Sequence, residues 1–224
     1  MDDPELLEAW QGGDKQAGRQ LVRRYYEPIY RFFFGKVAGG ACEDLTQETF
    51  EVLIRRREGY RGEGPFRAYL YGIARFVLVA HIRKRQRQRD RFEPAEHSAI
   101  DPASAAASEI FAAREHERVV AAALRSLPLD DQITIELKDW EGLTQDELAS
   151  LFEVPRSTMG SRISRARARL RKAIEARLKD AQKLAELEEG LETCMRSIRG
   201  KIQAQLSGGG KVSGSPPEQG SGGE

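Results

Sequence analysis

Apolar and helix-favouring residues extend from Glu5 to about Gln88 and predict a first helical region. Pro28 lies inside the apolar run 21–34, so we expect the helix there to kink or to restart. Three turn signals interrupt the region and divide it into three or four helices: Gly12-Gly13, Gly39-Gly40 and Gly62-Glu63-Gly64-Pro65.

A second helical region begins at about Arg114. The stretch before it, residues 92–109, is small and polar and contains two prolines, which is typical of a flexible linker. Leu127 precedes a proline, so we expect one helix to end there and Asp130-Asp131 to cap the next. The module that follows should extend to about Lys179.

The segment 142–159 has the pattern of a helix-turn-helix. Thr144 and Glu147 have the spacing of a capping box, which predicts a short helix beginning there. The run Glu153-Val154-Pro155 should end it, and Ser157 or Thr158 can cap a second helix. Each helix has a buried face, predicted by Leu148, Leu151 and Phe152 in the first and by Met159, Ile163, Ala166, Leu170 and Ile174 in the second.

Polar and basic side chains lie near the start of that second helix, where its dipole is positive. Such groups suit phosphates and base edges, so the pattern predicts a surface that binds duplex DNA. The residues are Arg156, Ser157, Ser161, Arg162 and Arg165. An ordinary helical hairpin with a solvated arginine face is the alternative.

Aromatic and basic residues alternate in the segment 60–75 and are followed by the basic run 81–87. Rings can stack on unpaired bases while guanidinium groups bind phosphates, so this pattern indicates single-stranded or melted DNA. The alternative is that some of the rings belong to the core, because Leu70, Ile73, Ala74 and Val77 have core spacing.

An acidic amphipathic helix is predicted over 42–56. Its apolar ridge, Leu45, Thr49, Val52 and Leu53, lies beside the acidic Asp44 and Glu48. Such a helix can bury one face and dock a basic helical partner with the other. A solvated acidic face is the alternative.

The C-terminal part of the chain is predicted to form an amphipathic helix over 180–206. Gly190 and Gly200 weaken it. Its apolar stripe consists of Leu184, Leu187, Leu191, Cys194, Ile198, Ile202 and Leu206. We expect this stripe to pack on the protein's own domains, with self-association as the alternative. Residues 207–224 are rich in glycine, serine and proline and should be disordered.

The formal net charge of +1 conceals strongly charged segments. Residues 55–91 hold 12 basic and 3 acidic side chains, and residues 154–179 hold 9 and 1. The segment 92–153 between them holds 4 basic and 14 acidic side chains. Two basic modules separated by an acidic one are typical of two nucleic-acid surfaces, with solvated basic helices as the alternative.

The composition of the 224 residues, 40% hydrophobic and 32% charged, predicts a folded protein with a charged surface. The acidic start and the lack of a long apolar run predict a cytoplasmic protein that does not insert into membranes. Cys42 and Cys194 are too far apart in sequence to indicate a disulfide framework or a zinc site. No nucleophile–base pair, phosphate-binding glycine loop or metal-ligand spacing stands out, so we expect no enzyme, no cofactor and no metal.

Taken together, these stretches resemble the bacterial RNA polymerase sigma factors of the extracytoplasmic-function (ECF) group over about residues 5–177. The resemblance implies an all-α protein of two small helical domains joined by a flexible linker, the second a helix-turn-helix domain, followed by the C-terminal amphipathic helix and the disordered tail. The most specific stretches are residues 43–50 (EDLTQETF), 69–75 (YLYGIAR), 124–128 (LRSLP) and 154–166 (VPRSTMGSRISRA).

The implied domains are a region 2-like domain at 1–91, a linker at 92–112, a region 4-like domain at 113–179, an extension helix at 180–206 and the tail at 207–224. The implied partners are core RNA polymerase, through the clamp helices of its largest subunit, and promoter DNA. Members of this group are commonly held inactive by anti-sigma proteins, so an anti-sigma factor is a candidate partner.

The resemblance also implies three sets of contact residues. The polymerase would bind Asp44, Gln47, Glu48, Phe50 and Leu53. The melted minus-10 element would contact Arg61, Phe66, Tyr69, Tyr71, Arg75, Arg83 and Lys84. The duplex minus-35 element would contact Arg156, Ser157, Thr158, Ser161, Arg162 and Arg165.

This chain departs from the family pattern at a few positions. Phe76 and Ala80 stand where the family often has Asn and Asp, and Gly160 replaces a basic residue of the recognition helix. The extension beyond Asp180 lies outside the two-domain pattern, and we expect it to restrain or tune promoter binding. A stand-alone helix-turn-helix regulator that dimerises through residues 184–206 is the alternative function.

Overall fold

The computed structural model describes residues 1–37, 39–60, 64–92, 115–178, 193 and 196–204. Within these residues every regular element is a helix, and the one pair of bridged backbone positions, Phe34 and Val37, closes a tight turn. This agrees with the all-α prediction. No helix among the described residues is both long enough and apolar enough to cross a bilayer.

The N-terminal domain is built from four helices within the described part of residues 1–92. They are α1 (Asp3–Gln11), α2 (Lys15–Phe33), α3 (Gly39–Arg56) and α4 (Phe66–Phe92), with a 3-10 turn at Arg57–Gly59. A capping box between Asp2 and Glu5 starts α1, and Asp14 caps α2. Gly18 allows α1 to approach α2 closely, because a Cβ atom there would lie 2.5 Å from Nε1 of Trp10.

Pro28 does not make α2 restart, since the helix continues through it to Phe33. Proline removes one backbone hydrogen bond from a helix. The residues that follow nevertheless hold the last turns in place, because Ile29, Phe32 and Phe33 are all buried. Tertiary packing therefore outweighs the local preference to break.

The second domain comprises α5 (Glu115–Arg125), α6 (Leu129–Ile135), a π-helical turn at Glu136–Trp140, α7 (Gln145–Leu151) and α8 (Arg156–Glu175). The capping box predicted for Thr144 and Glu147 is confirmed. Two other caps are wrong: α6 starts after Pro128 with Asp130-Asp131 in its first turn, and α8 starts after Pro155 with Ser157 and Thr158 inside the helix. Proline has a fixed φ and is well placed to begin a helix without a side-chain cap.

The two domains pack directly on each other and share one apolar core. Ile133, Leu137, Leu143 and Leu148 of the second domain join the buried cluster of the first. Residues 196–204 are helical and pack on the second domain. The linker predicted at 92–112 (beyond its first residue), most of the predicted extension helix and the predicted disordered tail at 207–224 lie outside the described residues.

Candidate nucleic-acid and partner interfaces

Helices α7 and α8 form the predicted helix-turn-helix, with residues 152–155 as its turn. Glu153 has a φ of 53°, which places its backbone in the left-handed region that a tight turn requires. The amide of Gln145 spans the motif, since its Nε2 donates a hydrogen bond of 2.7 Å to the carbonyl of Arg156. The start of α8 is thereby fixed against the start of α7.

Gly160 lies where this amide crosses α8. A Cβ atom at position 160 would lie 2.9 Å from Nε2 of Gln145, closer than atoms normally approach. The family's basic side chain at this position would therefore displace the Gln145 amide. This gives the departure at Gly160 a local packing reason.

The predicted DNA-contacting face of α8 is largely accessible. Ser157, Ser161 and Arg165 are exposed, whereas Thr158 and Arg162 are half-buried. The side chain of Arg156 is 69% exposed and forms a surface ion pair of 3.0 Å with Asp146. Such exposed pairs contribute little to stability, so the guanidinium can exchange its carboxylate for a phosphate.

Two further basic residues of α8 form surface ion pairs within their own domain. Arg167 pairs with Asp139 at 2.5 Å, and Arg169 pairs with Asp131 at 2.5 Å. These contacts join the end of α8 to α6 and the π-helical turn. Both side chains are 54% exposed, so basic groups are accessible along much of α8 and not at its start alone.

The minus-10 residues predicted in the N-terminal domain are divided between surface and core. Arg83 and Lys84 are exposed on α4, and Tyr69 is half-buried with its ring centroid 4.8 Å from that of Tyr60. Arg61 lies outside the described residues. Arg75 is 31% exposed and is engaged by the second domain.

Phe66 and Tyr71 belong to the core, at 3% and 1% exposure, so their predicted DNA contact would require a rearrangement of this domain. The ring of Phe66 packs edge-on against Tyr25, and Tyr71 packs against Phe32. Burial raises the pKa of Tyr71 well above its ordinary value, as expected for a phenol removed from water. These two rings therefore stabilise the domain and cannot stack on a base in this arrangement.

Phe76 is a surface residue that the sequence reasoning did not propose as a contact. Its side chain is 63% exposed on α4, next to an open position at Gly72 and above the exposed Ala80. Arg83 and Lys84 follow on the same helix. A signal was present in the sequence, since Phe76 departs from the family pattern, but the departure alone did not indicate stacking.

The acidic face predicted on α3 is present at the surface. Asp44, Gln47, Glu48 and Glu51 line an open depression together with Arg55. Nε2 of Gln47 donates a hydrogen bond of 2.9 Å to Oε1 of Glu51, and this bond orients both side chains at the depression. The arrangement offers carboxylates to a basic partner.

The apolar members of the predicted polymerase contact lie behind this face. Phe50 is 5% exposed and stacks on Tyr26 with an angle of 7° between the ring planes, and Leu53 is fully buried. Direct contact between either residue and the polymerase stays a prediction that would require this face to rearrange. They support α3 from within.

Basic side chains of the N-terminal domain meet carboxylates of the second domain across the interface. Within the described residues the pairs are Arg31–Glu141 at 3.0 Å, Arg67–Glu147 at 2.9 Å, Arg75–Asp130 at 2.9 Å and Lys36–Glu136. The acidic segment of the sequence therefore neutralises part of the neighbouring basic one.

The carboxyl groups in this interface respond differently to their surroundings. Burial raises the pKa of Glu136 despite its contact with Lys36. Burial also acts to raise the pKa of Glu147, but hydrogen bonds from Thr144 and Arg67 outweigh it and leave that pKa below its usual value. Glu147 is thus held ionised by two elements at once.

Phe152, in the turn of the helix-turn-helix, lies between two predicted DNA contacts. The guanidinium carbon of Arg75 is 5.0 Å from the centre of its ring, and that of Arg162 is 5.9 Å from it. A cation over an aromatic face is an attractive contact. The two contacts hold Arg75, a predicted minus-10 residue, and Arg162, a predicted minus-35 residue, against the same ring.

No cluster of three metal-ligating side chains occurs in the part of the chain that the structure describes. The thiol of Cys42 is buried, and burial raises its pKa to about 11. Such a thiol is protonated at neutral pH and unreactive.

Two family models match the chain in the order of its two domains. The model described as Sigma-70 region 2 matches residues 21–88, and the model described as Sigma-70, region 4 matches residues 117–170. Residues 196–204 lie outside both matches.

Curated relatives match over most of their length. The chain is 31% identical over 183 residues to the ECF RNA polymerase sigma-E factor of Haemophilus influenzae, covering 78% of this chain and 96% of that protein. It is 30% identical over 174 residues to the ECF RNA polymerase sigma-E factor of Escherichia coli K12, covering 75% and 91%.

Solved structures share the fold. CnrH, solved in complex with the cytosolic domain of CnrY, superposes with a TM-score of 0.56 at 24% identity and covers 78% of this chain and 97% of that one. The sigma factor RpoE of Bartonella quintana, solved with the anti-sigma factor NepR, gives a TM-score of 0.56 at 23% identity and covers 70% and 96%.

Proposed function

The chain belongs to the ECF group of bacterial RNA polymerase sigma factors, and we propose from this that its exposed charged faces divide promoter recognition and polymerase binding among them. As a sigma factor it binds core RNA polymerase, directs promoter-specific initiation and is not itself an enzyme. We place this activity in the cytoplasm, where the bacterial chromosome lies. We also propose the domain boundaries as predicted, with region 2 ending near residue 91 and region 4 spanning about 113–179.

The minus-35 element is assigned to the start of α8. The accessible polar and basic face of this helix supports the assignment, since base edges in the major groove are read by such side chains. Its members are Arg156, Ser157, Thr158, Ser161, Arg162 and Arg165. Ser161 and Arg165 are exposed, and Nε of Arg165 donates a hydrogen bond of 3.3 Å to the carbonyl of Ser161.

The minus-10 element is assigned to the outer face of α4 and the segment before it. The predicted residues are Arg61, Phe66, Tyr69, Tyr71, Arg75, Arg83 and Lys84, of which Phe66 and Tyr71 are buried in the arrangement described. We add Phe76, because an exposed ring flanked by small residues and followed by cations fits an unpaired base and its phosphates.

The polymerase is assigned to the acidic face of α3. The observation that supports it is the row of accessible carboxylates and amides at Asp44, Gln47, Glu48 and Glu51. Phe50 and Leu53 support that face from the core. The proposed partner element is the pair of clamp helices of the largest subunit.

A charge-reversal experiment tests this assignment. Asp44→Lys with Glu48→Lys should weaken binding to purified core polymerase by at least about tenfold, because like charges would then face each other. Glu58→Lys is the matched control, since the Glu58 side chain is 82% exposed on the same domain and outside the depression. Equal binding by the double variant and the control would refute the assignment.

The stand-alone dimeric regulator receives no support from the described residues. Ile198 and Ile202 of its predicted dimer stripe are 1% and 2% exposed because they pack within the chain. The remainder of that stripe lies outside the described residues. An anti-sigma partner stays a prediction.

A further inference from the structure

We propose that the groove between α5, Trp140 and the turn after α2 is a docking site for this chain's own residues 196–204, and that this docking holds the two domains closed. The closed arrangement keeps Arg67 and Arg75 on the second domain and away from nucleic acid. The proposal rests on the proposed function for its biological meaning. Its structural part concerns a segment outside both family regions.

The apolar side of the docked segment is almost completely covered. Ile198 and Ile202 are 1% and 2% exposed and share a buried cluster with Val120, Leu124 and Trp140. The cavity that remains among these elements is only about 20 Å³. A groove filled this closely is a fitted contact, and a polar group at either isoleucine would be expelled from it.

A buried carboxylate on α5 adds a polar contact. Glu117 is 2% exposed, and its Oε1 accepts a hydrogen bond of 2.8 Å from Ser197 while its Oε2 contacts the ammonium group of Lys201. A carboxylate removed from water needs such partners, because an unpaired buried charge is strongly destabilising. The docked segment therefore supplies a hydrogen-bond donor and a positive charge to this buried carboxylate.

The segment lies at the junction of the domains and not on one of them alone. Phe34 and Gly35, which follow α2, line the same small cavity as Ile198 and Ile202. Arg199 lies 3.9 Å from Glu141, the residue that also pairs with Arg31 of α2. The apolar contact near Phe34 thus connects the segment to the first domain, and its charged contacts connect it to the second.

The closed arrangement is incompatible with simultaneous contact to both promoter elements. The guanidinium carbons of Arg75 and Arg162 both lie over the ring of Phe152. The distance between these two carbons therefore cannot exceed the sum of their distances to the centre of that ring. The promoter elements are about 25 base pairs apart by their names, or about 85 Å along the duplex at roughly 3.4 Å per base pair. The domains must separate before both can be contacted, and the docked segment opposes that separation.

A distance measurement in the full chain tests the closure. Fluorophores would be attached at Glu8→Cys in α1 and Lys172→Cys in α8, both exposed positions, with Cys194→Ser to remove the second thiol. Cys42 can stay, because it is buried and its pKa is raised to about 11. Energy transfer between the two fluorophores then reports the separation of the domains.

Ile202→Asp is the test variant and Ala204→Asp is the matched control, since Ala204 is exposed on the same helical segment. We expect Ile202→Asp to raise the population with low energy transfer at least about fivefold, the lower range of coupling between sites. Ala204→Asp should match the parent. Equal transfer in all three proteins, or loss of a dimer in Ile202→Asp by sedimentation, would overturn the proposal.

A second measurement separates this proposal from the proposed function. Hydrogen exchange of α4 and α5 in the same proteins should rise in Ile202→Asp alone, because both helices lose a packed neighbour. Neither readout needs polymerase or DNA, so a failure to support transcription leaves the closure testable. If Ile202→Asp separates the two domains but does not increase transcription when the sigma factor is limiting, the proposal that closure restrains promoter binding would be overturned.

Discussion

Helices α4 and α8 both carry residues predicted to contact DNA, yet they present them differently. In α8 the five predicted apolar positions, from Met159 to Ile174, lie on one side and are buried, which leaves the basic side chains outside. In α4 the predicted contacts are mixed, because Tyr71 is fully buried while Arg83 is exposed. When a helix packs on one side only, the spacing of its apolar residues predicts which side chains are buried. When a helix packs on several sides, spacing does not predict this.

The largest expected effect concerns the buried ring of α4. Tyr71→Ala should lower the free energy of unfolding by about 3–5 kcal/mol, since it leaves a cavity in the core. Tyr69→Ala should cost clearly less, because Tyr69 is half-buried. Urea denaturation measures both. A loss below about 1 kcal/mol for Tyr71→Ala, together with weaker DNA binding, would show instead that Tyr71 contacts DNA.

The second effect concerns the exposed ring of the same helix. Phe76→Ala should weaken open-complex formation by about 1–3 kcal/mol, the range for one base stacked on an aromatic ring. Its effect on stability should stay within about 0.5 kcal/mol, because the side chain is at the surface. Phe76→Tyr keeps the ring and should keep the activity. Permanganate footprinting of the melted strand compares them, and equal footprints for the alanine variant and the parent would exclude Phe76 from the contact.

A third effect tests the cap that starts the helix-turn-helix. Thr144→Ala should cost about 1 kcal/mol of stability, because α7 loses the oxygen that accepts the Glu147 amide hydrogen. Ser150→Ala, at an exposed position of α7, should be near neutral. Thermal unfolding distinguishes the two. Equal midpoints for both variants would mean that the cap contributes nothing here.

The smallest net effect is expected at Gly160. Alanine gains about 1 kcal/mol of helix propensity over glycine, but it collides with the Gln145 amide that crosses α8. We expect Gly160→Ala to be near neutral in the parent chain and stabilising in a Gln145→Ala background. A double-mutant cycle by urea denaturation gives the coupling. The absence of coupling would remove the packing reason for this glycine.

The sequence allows some of these features to be predicted and not others. The helix-turn-helix and its Thr144 cap follow from contacts three or four residues apart, which spacing reveals. The sequence pattern predicts polar caps at the starts of α6 and α8, but both helices begin directly after prolines. The acidic face of α3 was also predicted from spacing, although spacing does not tell whether Phe50 faces the partner or the core.

Contacts between distant residues could not be predicted from the pattern. Arg31 and Glu141 meet although 110 positions separate them, and no local signal pairs them. The charged segments suggested two surfaces for nucleic acid with an acidic spacer between. The structure instead places part of that acidic segment against the basic side chains of the N-terminal domain. Charge counts along a chain do not distinguish a partner from another part of the same protein.

Run-off transcription from a library of random promoters, with purified core polymerase, tests the central claim most directly. The full chain should select a bipartite promoter, and Arg162→Ala with Arg165→Ala should relax selection at the upstream element alone. Arg177→Ala, at an exposed position beyond α8, is the control that should leave selection unchanged. Transcription no greater than that of core polymerase alone, or selection of a single palindromic site, would contradict the account.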